Sequence, residues 1–205
     1  MVFPSSTIIE EIKIWQRSGL ALLAFYYYDY RESRKKDLYG LLSSMLFQLC
    51  GQSDSYYDTL STMYSRHRSG AERPSDAELL WCLMDLLKRP GPRPVYLVID
   101  ALDECPSTSS LSSPREKLLS LLEDLVEAQL PNLRICVTSR PEVGIKAILE
   151  PLAFCSVALH DESGQKEDIK NYIESFVDTN RKMQSWDLKH KQLVIEVLNE
   201  KADGM

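Results

Sequence analysis

The part of this sequence best suited to chemistry is an apolar run that ends in acidic residues. Val95–Ile99 is an unbroken run of five aliphatic and aromatic residues, and three acids follow within five positions: Asp100, Asp103 and Glu104. Carboxylates this close repel one another unless solvent, a basic side chain or a metal ion offsets their charge. The pattern therefore predicts a buried strand whose carboxyl end carries a charged site.

Polar residues also follow the next apolar run along the chain. Residues 133–137 form that run, and Thr138, Ser139 and Arg140 come directly after it. Ligands of open parallel sheets bind beyond the carboxyl ends of the strands. If both runs are parallel strands, the three acids and the Thr-Ser-Arg segment line one edge of the sheet.

These residue types suit a site for Mg²⁺ and a nucleoside triphosphate. Mg²⁺ prefers one or two carboxylates together with waters and phosphate oxygens, and Asp100 fits that role. Asp103 and Glu104 are candidates to polarise a water that attacks a γ-phosphate. Arg140 is a candidate to sense that phosphate or to stabilise charge that develops during the reaction.

The same residues also have an ordinary structural interpretation. In that interpretation Asp100 caps a turn, Asp103 and Glu104 are solvated, and Arg140 pairs with one of them. An acid at the end of a strand is common by itself, so only the combination of both strand ends favours the nucleotide site.

Alternating strands and helices would position these residues. Apolar periodicity and capping signals predict helices at 7–18, 38–50, 52–64, 75–88, 113–129, 167–177 and 186–202. Continuous apolar runs predict strands at 20–30, 95–100, 133–140 and 156–160. Strands separated by helices indicate an α/β fold with a parallel sheet covered on both faces.

Composition limits the partners that this chain is expected to bind. With 24 basic and 30 acidic residues, the net charge is −6, which argues against a nucleic-acid or anionic-membrane surface. No apolar stretch is long enough to cross a bilayer, and no signal peptide is visible. The five cysteines are scattered singly, as is typical of reduced thiols, so we expect a cytoplasmic protein.

Other catalytic classes fit this sequence less well. It contains no G-x-S-x-G elbow, and its three histidines lie in different predicted elements. Cys105 follows two acids, which would raise the pKa of its thiol and make it a poor nucleophile.

The two strand ends resemble those of a known family. VYLVIDALDEC followed by LPNLRICVTSRPEV is similar to the Walker B strand and the sensor strand of NACHT-type P-loop NTPases, above all fungal members with a nephrocystin-like N-terminal domain. The resemblance implies a three-layer P-loop NTPase-like fold with bound ATP and Mg²⁺. It also implies that Asp100 directs the metal, that Asp103, Glu104 and Arg140 hold catalytic positions, and that Thr138 and Ser139 contact the nucleotide.

One part of the family's pattern does not occur in this chain. The phosphate-binding loop, G-x-x-x-x-G-K-[ST], is absent, and the family places it directly before the helix predicted at 7–18. We therefore expect an incomplete sheet without its first strand, and weak or no ATP binding. The resemblance further implies a partial nucleotide-binding core at 1–160 and closing helices at 161–205 that lead towards a winged-helix region.

Two functions remain open on these grounds. The first is a nucleotide-gated signalling NTPase module that lacks its phosphate loop and is inactive alone. The second is a non-enzymatic fragment that self-associates or pairs with full-length NACHT relatives through an exposed sheet edge or helix faces.

Overall fold

A three-stranded parallel sheet runs through the first part of the chain. The computed structural model describes residues 4–29, 31, 37–67, 70–89, 91–107, 113–157 and 163–202. The strands are β1 (Leu22–Tyr27), β2 (Val95–Asp100) and β3 (Leu133–Val137), in the order β1-β2-β3. Leu22 is in register with Val95, and Val95 with Leu133, so all three carboxyl ends lie at one edge of the sheet.

Helices separate the strands along the chain, as the sequence predicts. They are α1 (Pro4–Arg17), α2 (Leu38–Cys50), α3 (Asp54–Arg66), α4 (Asp76–Lys88), α5 (Pro114–Glu127), α6 (Val143–Leu152), α7 (Ser163–Thr179) and α8 (Leu188–Ala202). A short 3-10 helix, Leu102–Glu104, follows β2 directly. By their contacts, the chain divides into two compact units, Met1–Leu152 and Ala153–Met205, and the second unit contains α7 and α8.

Apolar side chains cover both faces of the sheet. On one face, alternate strand residues such as Leu22, Leu97 and Ile99 join a large core with buried leucines of α2, α4 and α5. On the other face, Leu23 and Val98 pack with isoleucines of α1. The alternation follows from the two-residue period of a strand. The predicted α/β fold, with helices on both faces of a parallel sheet, is confirmed.

Capping residues fix the starts of two helices that support the carboxyl edge. The predicted capping box of α4 is present, since Ser75 Oγ accepts the Glu78 N–H at 3.3 Å and the Glu78 carboxylate accepts the Ser75 N–H at 2.8 Å. Ser113 caps α5 in the same way, through the N–H of Glu116 at 3.1 Å. These side chains satisfy N–H groups that the helix itself leaves unpaired.

Some predicted elements differ from those in the structure. The first and third strands are shorter than predicted, and α6 was not predicted. Helix α6 is only ten residues long and includes Pro151, so its sequence lacks a strong helical signal. Of the strand predicted at 156–160, Ser156 and Val157 are not in a strand, and 158–160 lie outside the described residues. None of the described helices combines the length and the apolar character needed to span a membrane.

The two edges of the sheet differ in their hydrogen bonding. At the β1 edge, Gln52 accepts the Leu23 N–H at 2.9 Å and donates to the Leu23 carbonyl at 2.6 Å. Gln48, which lies on α2, makes the same pair of bonds with Phe25, at 3.1 and 2.8 Å, whereas Gln52 lies in the turn that follows α2. Two side-chain amides thus take the place of a neighbouring strand. At the β3 edge, no strand within the described ranges pairs with the outward-facing backbone.

Candidate functional site

The ends of β2 and β3 are joined by the side chains of Asp100 and Thr138. The Thr138 hydroxyl donates to Asp100 Oδ1 at 2.5 Å and accepts the N–H of Ala101 at 3.1 Å. Main-chain bonds continue this connection, because the Thr138 N–H donates to the Ile99 carbonyl at 2.9 Å and the Leu102 N–H donates to the Thr138 carbonyl at 3.0 Å. The acid at the end of one strand is therefore held against the hydroxyl that follows the next.

The turn after β2 depends on an unusual backbone conformation. Ala101 has φ 55° and ψ 50°, in the left-handed region that a side chain disfavours. Directly after it, fully buried Leu102 anchors the 3-10 helix in the core. The Glu104 N–H donates to the Ala101 carbonyl at 2.9 Å, which closes the turn. The turn brings Asp103 and Glu104 back towards the strand end.

Asp103 and Arg140 form the second link between the strand ends. Asp103 Oδ1 accepts the main-chain N–H of Arg140 at 3.0 Å, and its Oδ2 lies 3.5 Å from Arg140 Nε. The Asp103 side chain is only 8% exposed, whereas that of Arg140 is 82% exposed. The carboxylate is thus held within the protein, and most of the guanidinium faces solvent.

Ser139 contributes to the loop that carries Arg140. Its side chain is exposed, and its hydroxyl donates to the carbonyl of Arg140 at 2.9 Å. In this arrangement the hydroxyl bonds to its own loop and not to the acids. At this edge Asp100 is thus bonded to Thr138 and Asp103 to Arg140, and Glu104 and Ser139 belong to the same two turns.

One residue of this edge was not predicted from the sequence. Arg115, at the second position of α5, donates from Nε to the Cys105 carbonyl at 2.9 Å and from Nη2 to the Asp103 carbonyl. Its Nη1 bonds to the carboxylate of Glu142, just before α6. A cation at a helix N-terminus opposes the helix dipole. An arginine at this unfavourable position was the signal in the sequence that could have indicated other bonding partners for Arg115.

Cys105 is buried beside this turn and does not take part in the exposed chemistry. Burial is the main reason that the pKa of its thiol rises to about 11, while Tyr28 and Arg115 act in the opposite direction. The pKa thus moves in the direction expected from the sequence. Its cause is desolvation and not the two preceding acids. A thiol protonated at neutral pH is a weak nucleophile.

The donor groups at this edge match only part of a nucleotide–metal site. Asp100 supplies one carboxylate and Thr138 one hydroxyl, and hard oxygen donors of this kind suit Mg²⁺ when waters and phosphate oxygens complete its shell. Among the residues that the structure describes, no group of three or more histidine, cysteine or acidic side chains is arranged to hold a metal alone. A metal here would depend on the ligand's phosphates.

A three-stranded parallel sheet with helices on both faces has the architecture of an incomplete P-loop-like α/β fold. The chain belongs to the family described as "Nephrocystin 3, N-terminal", whose model matches residues 3–140. That match ends at Arg140 and includes every candidate site residue. No curated protein and no solved structure matches the chain significantly.

Proposed function

We propose that this chain is the nucleotide-responsive module of a NACHT-type signalling NTPase, with its Mg²⁺–ATP site at the carboxyl edge of the sheet. The proposal depends chiefly on the two linked pairs, Asp100 with Thr138 and Asp103 with Arg140. These two pairs hold the carboxylate of Asp100 and the exposed guanidinium of Arg140 beside two adjacent strand ends. Membership of the nephrocystin 3 N-terminal family supports the same assignment.

The geometry suggests separate roles for the acids. Asp100 would hold the water shell of a bound Mg²⁺, and that ion would polarise the phosphates. Asp103 holds the backbone and side chain of Arg140 and so directs that guanidinium towards the γ-phosphate. Asp103 and Glu104, which lie in the same turn after β2, are the two acids that we propose to orient an attacking water. Thr138 and Ser139 would contribute hydroxyls to the nucleotide, in exchange for their present bonds to Asp100 and to the Arg140 carbonyl.

Weak nucleotide binding is expected, because the sequence lacks the glycine-rich loop that donates N–H groups to phosphates. Calorimetric titration with ATP and Mg²⁺, carried to millimolar nucleotide, should detect binding that falls when Mg²⁺ is removed. Asp100→Asn should weaken that binding by about tenfold, or about 1.4 kcal/mol. Asp58→Asn, at an exposed acid on α3, should leave it unchanged.

Two results would contradict this function. One is the absence of any heat at millimolar nucleotide in the presence of Mg²⁺. The other is Mg²⁺-dependent binding that is equal in the wild type and in Asp100→Asn, because the metal would then lie elsewhere.

The open edge of β3 favours a second candidate function, in which the chain pairs with another copy or with a full-length relative. The Val95 N–H donates to the Asn132 carbonyl and the Thr138 N–H to the Ile99 carbonyl, so even-numbered residues of β3 bond to β2. The backbone groups of Ile135 and Val137 therefore face outward. An exposed edge of this kind is a template for strand addition.

Proline at position 135 tests this second function. Ile135→Pro removes one outward N–H from the centre of the edge and should abolish concentration-dependent association in sedimentation velocity. Tyr57→Ala, at an exposed residue of α3, is the control and should associate like the wild type. If the chain stays monomeric at high concentration, or if Ile135→Pro associates normally while remaining folded by circular dichroism, edge pairing is wrong.

A further inference from the structure

Arg115 connects three segments that meet at the carboxyl edge. It lies in the first turn of α5, its Nε and Nη2 bond to carbonyls of the turn after β2, and its Nη1 bonds to Glu142. The Glu142 carbonyl accepts the N–H of Lys146 at 2.9 Å, so this residue also begins α6. Through one side chain, the acid-bearing turn is tied to the segment that follows the Thr-Ser-Arg loop.

The shape of the guanidinium explains why an arginine occupies this position. Its N–H groups form a rigid planar fork, and here three different nitrogens each reach a different acceptor. The side chain of Arg115 is 16% exposed, so these bonds are partly shielded from water. A lysine ammonium is a single charged point and cannot reach three acceptors in these directions.

The two anchored segments are the ones that form the Asp103–Arg140 link. The Asp103 carbonyl is bonded to Arg115, and its carboxylate is bonded to the Arg140 N–H. The Glu142 N–H donates in turn to the Arg140 carbonyl at 2.8 Å. Arg115 therefore binds the segment of Asp103 and the segment that follows Arg140, and none of these bonds involves Arg140 itself.

We propose that Arg115 is a positioning residue, which fixes the turn at 101–105 against the loop at 138–142 and so sets where Arg140 is presented to a γ-phosphate. The first part concerns the chain alone, and the second rests on the proposed nucleotide-binding function. The main consequence is that the Arg140 N–H should lose its protection against hydrogen exchange when Arg115 is substituted, although the two residues belong to different elements.

Amide hydrogen exchange of the whole chain, followed by NMR, tests the positioning role without any ligand. Arg115→Gln should accelerate exchange at the Arg140 N–H by about tenfold or more, while the amides of Leu97 and Ile99 keep their wild-type rates. Arg115→Lys should give an intermediate effect, because it keeps the charge but loses the fork. Lys117→Gln, an exposed cation on the same helix, should have no effect.

Two results of that experiment would overturn the proposal. Unchanged protection at Arg140 would show that Arg115 does not position the loop. An equal increase at Arg140 and at the β2 amides would show that Arg115 only stabilises the fold. If Arg115→Gln does not fold, Glu142→Gln replaces it, since that variant weakens one arm of the link and keeps the carbonyl bonds.

Nucleotide titration then separates this inference from the proposed function. Arg115→Gln should weaken binding of ATP by several-fold and leave that of ADP unchanged, because only ATP carries the γ-phosphate assigned to Arg140. Equal losses for ATP and ADP would contradict the link to that phosphate. If the wild type binds neither nucleotide, the proposed function fails, and the exchange experiment alone decides whether Arg115 positions Arg140.

Discussion

Replacement of Leu97 by alanine is expected to lower the free energy of unfolding by about 3 to 5 kcal/mol. Leu97 is the middle residue of the central strand, is fully buried, and contacts the large core formed with α2, α4 and α5. Truncation removes transfer free energy and leaves a cavity, and strands on both sides prevent the site from collapsing. Urea denaturation followed by circular dichroism measures the change.

A matched substitution separates burial from the chemistry of leucine. Leu20→Ala makes the same deletion just before β1, where the side chain is 64% exposed, and should change stability by less than about 0.5 kcal/mol. If Leu97→Ala and Leu20→Ala give similar losses, the face of the sheet assigned to this core is incorrect.

Replacement of Gln52 by leucine is expected to lower the free energy of unfolding by about 2 to 6 kcal/mol and to make β1 prone to association. The Gln52 amide bonds to both backbone groups of Leu23, a residue that is itself 1% exposed. Without the amide, a buried N–H and a buried carbonyl lose their partners, at about 1 to 3 kcal/mol each. Urea denaturation measures the loss of stability, and sedimentation velocity measures the new association.

An isosteric substitution at the same position identifies the hydrogen bonds as the cause. In Gln52→Glu, the ionised carboxyl can accept the Leu23 N–H but cannot donate to the Leu23 carbonyl, whereas the protonated form can do both. Burial, and the bond that only the protonated carboxyl can donate to the Leu23 carbonyl, should raise the folded-state pKa of the new carboxyl. The stability that this carboxyl contributes is therefore present at acidic pH and is lost as pH rises through the folded-state pKa. Full wild-type stability in Gln52→Leu would show that the amide does not seal the edge.

The strand that carries the site was predicted from sequence, because an unbroken apolar run followed by an acid has few alternatives. Strand β2 spans Val95–Asp100 as predicted, and the Ser75 capping box is formed. The short helix α6 was missed, since ten residues including a proline carry little periodic signal. Elements with a strong local pattern could thus be predicted from the sequence, whereas the short helix α6 could not.

For the candidate site, the sequence predicted where the residues lie but not how they pair. Parallel topology alone placed Asp100 and Arg140 at one edge. It did not identify which acid meets which partner, because those pairings depend on a turn conformation and on distances across strands. The partners Gln48, on α2, and Gln52, in the turn after it, were also missed, since a glutamine has the same one-letter symbol whether it faces water or a strand edge.

The left-handed conformation of Ala101 has a consequence for how this edge would meet a ligand. A residue with a Cβ incurs a penalty of about 1 to 2 kcal/mol in that region, and glycine would not. However, glycine would also give the unfolded chain, and the junction itself, more conformations. The backbone conformation after Asp100 is therefore already fixed in the folded chain. A ligand that binds at this edge would need to order the acidic turn little further.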